Sequence, residues 1–240
     1  SSYPYVMVSE KFPMSTGVFV PVKSMKQFEF MTSKFCCVFD VEITNIFAKS
    51  ENENPISVSK CFVKENVSEN NGRLVCAKKI CMTITEIDYK VFSQFYTWEQ
   101  IRIGRMICYR KEYLPTEFVE SILHLYEMKT KLKGVKGKEV EYLNSKEMLN
   151  SCYGMCVTNP LRDEILCDGE TWDVERLTGE KQLEMLNKYN DSKNRFLFYP
   201  WGIYVTAYAR RNLFTGISEC GDDYIYSDTD SVKIMNGDAH

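Results

Sequence analysis

The hydrophobic period changes at Pro115, and that change divides the chain into a part suited to a sheet and a part suited to helices. Before it, β-branched and aromatic residues gather in short runs at 35–39 and 41–43, within a strand-like region 28–47. Polar loops at 49–72 flank a short strand expected at 56–63, and further strands are expected at 74–76 and 80–84, with a short helix at 86–96. After it, Phe118, Ile122, Leu125, Met128 and Leu132 recur at helical spacing, with Pro115 and Thr116 as start signals and Gly134 as a stop. A second helix should run from about 139 to 157 and break at Asn159-Pro160, because a residue before proline disfavours the α region. Between the two helices, Lys129, Lys131, Lys133, Lys136 and Lys138 form a basic tip, which a solvated helix turn also explains. Residues 161–199 are mixed and polar, with a short helix at 180–189. A helix at 202–220 stops at Gly221, and strands at 224–226 and 232–234 follow. The fold class expected is α+β, an antiparallel sheet with a helix pair.

Composition narrows the function classes. Of 240 residues 44% are apolar and 13% aromatic, which is too rich in large apolar side chains for a disordered chain. No apolar run approaches the roughly 20 residues that span a bilayer, so no membrane partner is expected. The ten cysteines are scattered without a C-x-x-C pair, and the two histidines, His124 and His240, are too few to complete a Cys/His zinc site. The cysteines therefore read as small buried hydrophobes of a reducing, cytoplasmic compartment. A net charge of −3 carries no global signature of nucleic-acid binding, so any such function must be local.

Two local constellations carry chemistry. In Tyr226-Ser-Asp-Thr-Asp-Ser231, Asp228 and Asp230 would share one side of an extended segment and converge above a hairpin turn. Two close carboxylates repel unless a cation sits between them, and hard oxygen ligands suit Mg²⁺. A polar turn is also rich in Asp, Thr and Ser for conformational reasons alone. In the second constellation, stepping about 100° per residue from Lys146 places Asn150 at about 40° and Tyr153 at about −20°. Met148, Leu149, Cys152, Met155 and Cys156 fall on the other side, an expected apolar face. The polar row suits a phosphorylated ligand with a planar base, though outward-facing polar residues of a surface helix give the same pattern. Gly221-Asp222-Asp223 is read as a helix stop and loop rather than a metal site.

Together these segments resemble the family B DNA polymerases. Residues 226–231 look like that family's third polymerase motif and residues 146–154 like its second. Ser1-Ser2-Tyr3-Pro4 looks like the tail of its first, whose Asp would lie three residues before Ser1, so that the chain reads as an excerpt. Thr206-Ala-Tyr-Ala-Arg210 resembles a DNA-contacting motif of the protein-primed enzymes of bacteriophages and linear plasmids. The resemblance implies template-directed transfer of a nucleotide from a dNTP to a primer 3′-hydroxyl, or to a hydroxyl of a terminal protein. Two Mg²⁺ ions, replaceable by Mn²⁺, would be held by Asp228 and Asp230 as catalytic ligands. By the same resemblance Tyr3, Lys146, Asn150 and Tyr153 would bind the nucleotide, and Ser151, Gly154, Thr206 and Arg210 the primer-template DNA. The relatives' organisation implies palm at 1–49 and 159–240, an insertion for the terminal protein at 50–112, fingers at 113–158, and a second insertion at about 161–199. The cytoplasm of a bacterial host would be the compartment. Without the upstream Asp, the isolated fragment is expected to be inactive. One position departs from the relatives, which usually carry a Lys where Tyr142 stands. Two other readings stay open: an RNA-primed polymerase of the same family, and a non-catalytic DNA- or terminal-protein-binding fragment.

Overall fold

A computed structural model describes residues 2–50, 53–193 and 198–239. Nothing in the local pattern signals a helix at the start of the chain, yet Ser2–Ser9 form α1. Pro4 sits in its first turn, where a missing N–H removes no helical hydrogen bond, and Val6 and Met7 are buried. The strands β1 (Lys11–Pro13) and β2 (Val18–Val20) lead to α2 (Met25–Lys34), which takes residues 28–34 out of the region read as strand. The Ser24 hydroxyl accepts from the Gln27 N–H and caps that helix.

The two runs at 35–39 and 41–43 are a single strand, β3 (Cys36–Ala48). No strand covers 56–63. Val58–Lys60 is a 3₁₀ turn, and Ile56, Val58 and Cys61 are buried as anchors of the loop. Two short strands follow, β4 (Val63–Glu65) and β5 (Ser68–Asn70), and then β6 (Arg73–Thr85) merges the runs at 74–76 and 80–84. Next comes α3 (Glu86–Phe95), started by a capping box. The Thr85 hydroxyl accepts from the Asp88 N–H while the Asp88 carboxylate accepts from the Thr85 N–H. β7 (Tyr96–Tyr109) and β8 (Lys111–Tyr113) complete this half.

These strands form a six-stranded antiparallel sheet in the order β2-β7-β3-β6-β4, with β5 also paired to β6, while β1 and β8 pair separately. At its centre Val41 lies opposite Met82 on one side and Ile103 on the other. Phe39, Val41 and Ile43 are buried, whereas Asp40 and Glu42 between them point away and meet Arg105 and Lys79. The register shifts between Phe39 and Val41 opposite Gly104, where a Cβ would lie 3.2 Å from that of Asp40.

Beyond Pro115, α4 (Thr116–Leu132) and α5 (Glu139–Cys156) form the expected helix pair, joined through Gly134 and Gly137, both at positive φ. A hairpin not signalled by the sequence, β9 (Glu164–Cys167) with β10 (Trp172–Glu175), precedes α6 (Gly179–Asp191). Then come α7 (Tyr199–Cys220), β11 (Tyr224–Asp228) and β12 (Ser231–Ile234). The last two strands pair only with each other, so the carboxylate turn stands on a small separate sheet rather than on the large one.

There are two hydrophobic cores. The first lies on the large sheet, where Phe28 and Phe92 meet Phe39 and Ile43; the second gathers Val6, Met7, Ile122 and Leu149 from α1, α4 and α5. α7 serves both, with Phe214 and Ile217 in the first and Tyr204 and Val205 in the second. Its Gly202 lets it approach the end of α5, since a Cβ there would come within 2.2 Å of Val157 Cγ1. Between the cores, the Glu86 carboxylate accepts from the Cys37 N–H at 2.9 Å and the Tyr204 hydroxyl at 2.5 Å, with Lys111 Nζ 3.4 Å away. No helix among the described residues is long and apolar enough to cross a membrane.

Candidate active site

β11 and β12 are joined by a two-residue turn, Thr229-Asp230, with Asp228 paired to Ser231. Thr229 has φ of 52°, a left-handed conformation that strains a β-branched residue. The turn is tied down around Asp228. Its carbonyl accepts from the Asp230 N–H at 2.6 Å and the Ser231 hydroxyl at 3.1 Å, and its carboxylate accepts from the Thr229 hydroxyl at 3.0 Å. Asp230 therefore lies in the turn and not in an extended segment. The alternation of side chains along a strand does not bring the two carboxylates together; the turn does.

The Asp230 carboxylate reaches the start of α1, where the Ser2 N–H donates to Oδ2 at 2.9 Å. A helix N-terminus favours a negative group at that place. One residue on, the Tyr3 ring meets the ring of Tyr153 from α5, with centroids 4.6 Å apart and planes at 52°. Burial pushes the Tyr153 phenol above its ordinary range. Tyr3, Asn150, Tyr153, Asp228 and Asp230 line one cleft of about 510 Å³. Residues far apart in sequence thus converge, and Ser2, Thr229 and Ser231 join them on the wall. The contribution of Ser2 comes from its backbone, which no side-chain motif reveals.

Other expected site residues stand apart from this cleft. Lys146 is exposed one turn before Asn150 and is not part of the wall. The Ser151 hydroxyl donates to the Met148 carbonyl at 2.8 Å, and open space surrounds the position a Cβ of Gly154 would take. The apolar face expected on α5 is narrower than its pattern: Leu149 and Cys156 are buried, but Met148 and Met155 are exposed, because the second core reaches only one stripe of the helix. In the basic tip, Lys131 pairs with Glu127 at 2.5 Å and Lys138 with Glu141 at 2.7 Å.

Thr206 and Arg210 project from α7 into a second cleft of about 900 Å³, which Tyr153 also borders. The Thr206 hydroxyl donates to the Ile203 carbonyl at 2.8 Å. Arg210 Nε donates to Asp88 Oδ1 at 2.8 Å, so the capping carboxylate of α3 orients the guanidinium. Lys60 and Arg73 line the same cleft. One lies in a 3₁₀ turn and the other at a strand start, and neither belongs to a sequence pattern that would single it out. Asp223, of the Gly-Asp-Asp triplet, anchors the small sheet instead, its carbonyl accepting from the Met235 N–H at 2.8 Å.

Over residues 1–231 the chain matches the family described as DNA polymerase type B, organellar and viral. It is 24% identical over 238 residues to the DNA polymerase of Bacillus phage B103, and 24% identical over 237 residues to that of Bacillus phage Nf. Each alignment covers 98% of this chain and 37% of the relative. Among solved structures it is similar to Phi29 DNA polymerase complexed with primer-template DNA, at a TM-score of 0.69 and 19% identity over 98% of this chain and 37% of that one. The ternary complex of Phi29 DNA polymerase with primer-template DNA and incoming nucleotide substrates aligns with the same TM-score, identity and coverage. The chain thus spans 37% of the length of the relatives it matches. With the family match running through all three segments of the cleft, the chain belongs to the type B DNA polymerases of organelles and viruses.

Proposed function

We propose that these residues carry the nucleotide-joining site of a DNA-directed DNA polymerase, in which a primer 3′-hydroxyl attacks the α-phosphorus of a dNTP and pyrophosphate leaves. The observation that carries this reading is the meeting of Tyr3, Asn150, Tyr153, Asp228 and Asp230 in one cleft. Two carboxylates on one tight turn fit Mg²⁺, which usually takes one or two carboxylates and completes its shell with water and substrate phosphates. Among the described residues no group of three or more His, Cys, Asp or Glu is placed to hold a metal, so Asp228 and Asp230 are the ligands this chain would supply. Bound there, the metal would neutralise charge on the attacking and leaving oxygens.

The chain's own residues bind and orient the substrate. Asn150 and Tyr153 form the wall against which the base pair would sit, and Tyr3, leaning on Tyr153, lies beneath the sugar and collides with a 2′-hydroxyl. Lys146, on the same helix, neutralises triphosphate charge, and α4 with α5 at 113–158 act as fingers. Arg210, Thr206, Ser151 and Gly154 face the DNA. The similarity to bacteriophage enzymes supports priming by a terminal protein bound near the insertion at 50–112, with a second insertion at about 161–199.

The test is Asp230→Asn in the polypeptide that carries this chain, followed by primer extension with Mg²⁺. Incorporation should fall on the order of 10³-fold, about 4 kcal/mol of transition-state stabilisation, with thermal stability unchanged. Unimpaired incorporation would overturn the assignment. Stimulation of the wild-type enzyme by a terminal protein separates protein priming from RNA priming.

A further inference from the structure

At the far end of α1, about 12 Å along the helix from Ser2, lies a cleft of about 330 Å³ whose chemistry the nucleotide site does not use. Lys11, Lys90, Lys111 and Arg211 line it, against the carboxylates Glu10 and Glu86. Arg211 pairs with Glu10 at 2.7 Å, and Lys111 with the buried Glu86 at 3.4 Å. That leaves Lys11 and Lys90, both exposed, without a carboxylate partner among the described residues. The cations are also set on aromatic rings: Lys11 Nζ lies 5.3 Å from the ring centre of Tyr113, and the Arg211 guanidinium 4.9 Å from that of Tyr208. Cation–π contacts of this kind hold a charged head in place. The Tyr208 hydroxyl donates to the Lys11 carbonyl at 2.6 Å and fixes the backbone at the rim. Burial pushes the Glu86 carboxyl above the usual carboxylate range, which weakens the negative charge at the floor.

We infer that this cleft binds a phosphate group, with Lys11 and Lys90 as the charge-bearing contacts and Arg211 held ready beside them. A compact pocket with two surplus cations and aromatic walls suits a phosphate monoester or a single phosphodiester of a nucleic-acid backbone. The inference stands on this cleft and does not rest on the nucleotide-joining reading.

The experiment compares the wild-type polypeptide with a Lys11→Gln/Lys90→Gln double variant. As control, Lys26→Gln/Lys34→Gln removes the same charge from exposed positions on α2, away from the cleft. Inorganic phosphate is titrated by calorimetry, and the affinity for a duplex primer-template is measured across salt concentrations. If the occupant is a free phosphate, the wild type and the control bind inorganic phosphate and the cleft variant binds at least tenfold more weakly. If it is a phosphodiester, free phosphate binds none of them, but the slope of log K against log salt falls by about 1.8 in the cleft variant alone, at about 0.9 per duplex phosphate contact. Equal changes in both variants, or no change in either, would overturn the inference. Lys90→Glu, a single reversal at an exposed position, should reproduce the loss if the double variant folds poorly. Repeating the titrations on Asp230→Asn, which leaves this cleft intact, keeps failure of the phosphate site distinct from failure of the catalytic reading.

Discussion

The large sheet and the small one are both antiparallel, and they are stabilised in opposite ways. β3 is paired on both sides along most of its length and sends Phe39, Val41, Ile43 and Ile46 into a continuous core. The β11–β12 pair leaves Ile225 and Tyr226 exposed, and it is tethered by a few polar contacts: Ser2 to Asp230, Met235 to Asp223, and the bonds around Asp228. Burial supplies the stability of the first region, while the second keeps its carboxylates open to a ligand. A scaffold can hold a reactive turn without having that turn contribute much to its own stability. Substitutions should therefore divide: those in the large sheet change stability and spare the chemistry, and those at the small sheet and its cleft do the reverse.

The largest expected effect is in the scaffold. Phe39 is fully buried and packs edge-on against Phe28 at 5.0 Å. Phe39→Ala should cost about 3–5 kcal/mol by opening a cavity in a close-packed core, read as a lowered denaturant midpoint. A smaller loss, below about 1 kcal/mol, would mean that the sheet relaxes around the cavity and that the contrast between the regions is weaker than drawn here.

Next comes Tyr3→Val at the cleft. The loss of one steric contact should narrow discrimination between deoxyribonucleotides and ribonucleotides by about 2–4 kcal/mol, or roughly 30- to 1,000-fold, with thermal stability little changed. The ratio of kcat/KM for a matched deoxy and ribo pair is the measurement. An unchanged ratio with lowered stability would move Tyr3 from the site into the scaffold.

The smallest effect sharpens the boundary between the two regions. Burial raises the Glu86 carboxyl above its unfolded value, so the folded state holds more protons than the unfolded state. Stability should fall as pH rises from the ordinary carboxylate pKa through the raised folded value, and be fully present below that window. Glu86→Gln keeps an acceptor for Tyr204 and Cys37 and should flatten this dependence in urea unfolding measured across pH. An unaltered slope would show that another group carries the titration.

How far each region could be read in advance follows the same division. α4, α5 and α7 declare themselves through helical spacing and clear stops at Gly134, Asn159-Pro160 and Gly221. β3 reads as fragments because outward Asp40 and Asn45 interrupt its apolar runs, and only pairing on both sides makes it continuous. β7 escapes notice altogether. Its outward face carries Arg102 and Gly104, and the inward Ile101 and Ile103 are too few to stand out from a loop. α1 contradicts its own β-branched composition because Val6 and Met7 are drawn into the second core. At the cleft, side-chain motifs identify Asp228, Asp230, Asn150 and Tyr153, since their spacing follows local geometry. The contact of the Ser2 N–H with Asp230 depends on how distant segments fold together, and so does the placement of Lys146 outside the wall.

The reach of α7 has a calorimetric consequence. A single 22-residue rod with Tyr204 and Val205 in one core and Phe214 and Ile217 in the other leaves no seam along which the two can melt independently. Heat absorption by this part of the molecule should appear as one peak, with a van't Hoff enthalpy equal to the calorimetric one, because neither half retains a complete interior once the shared helix lets go.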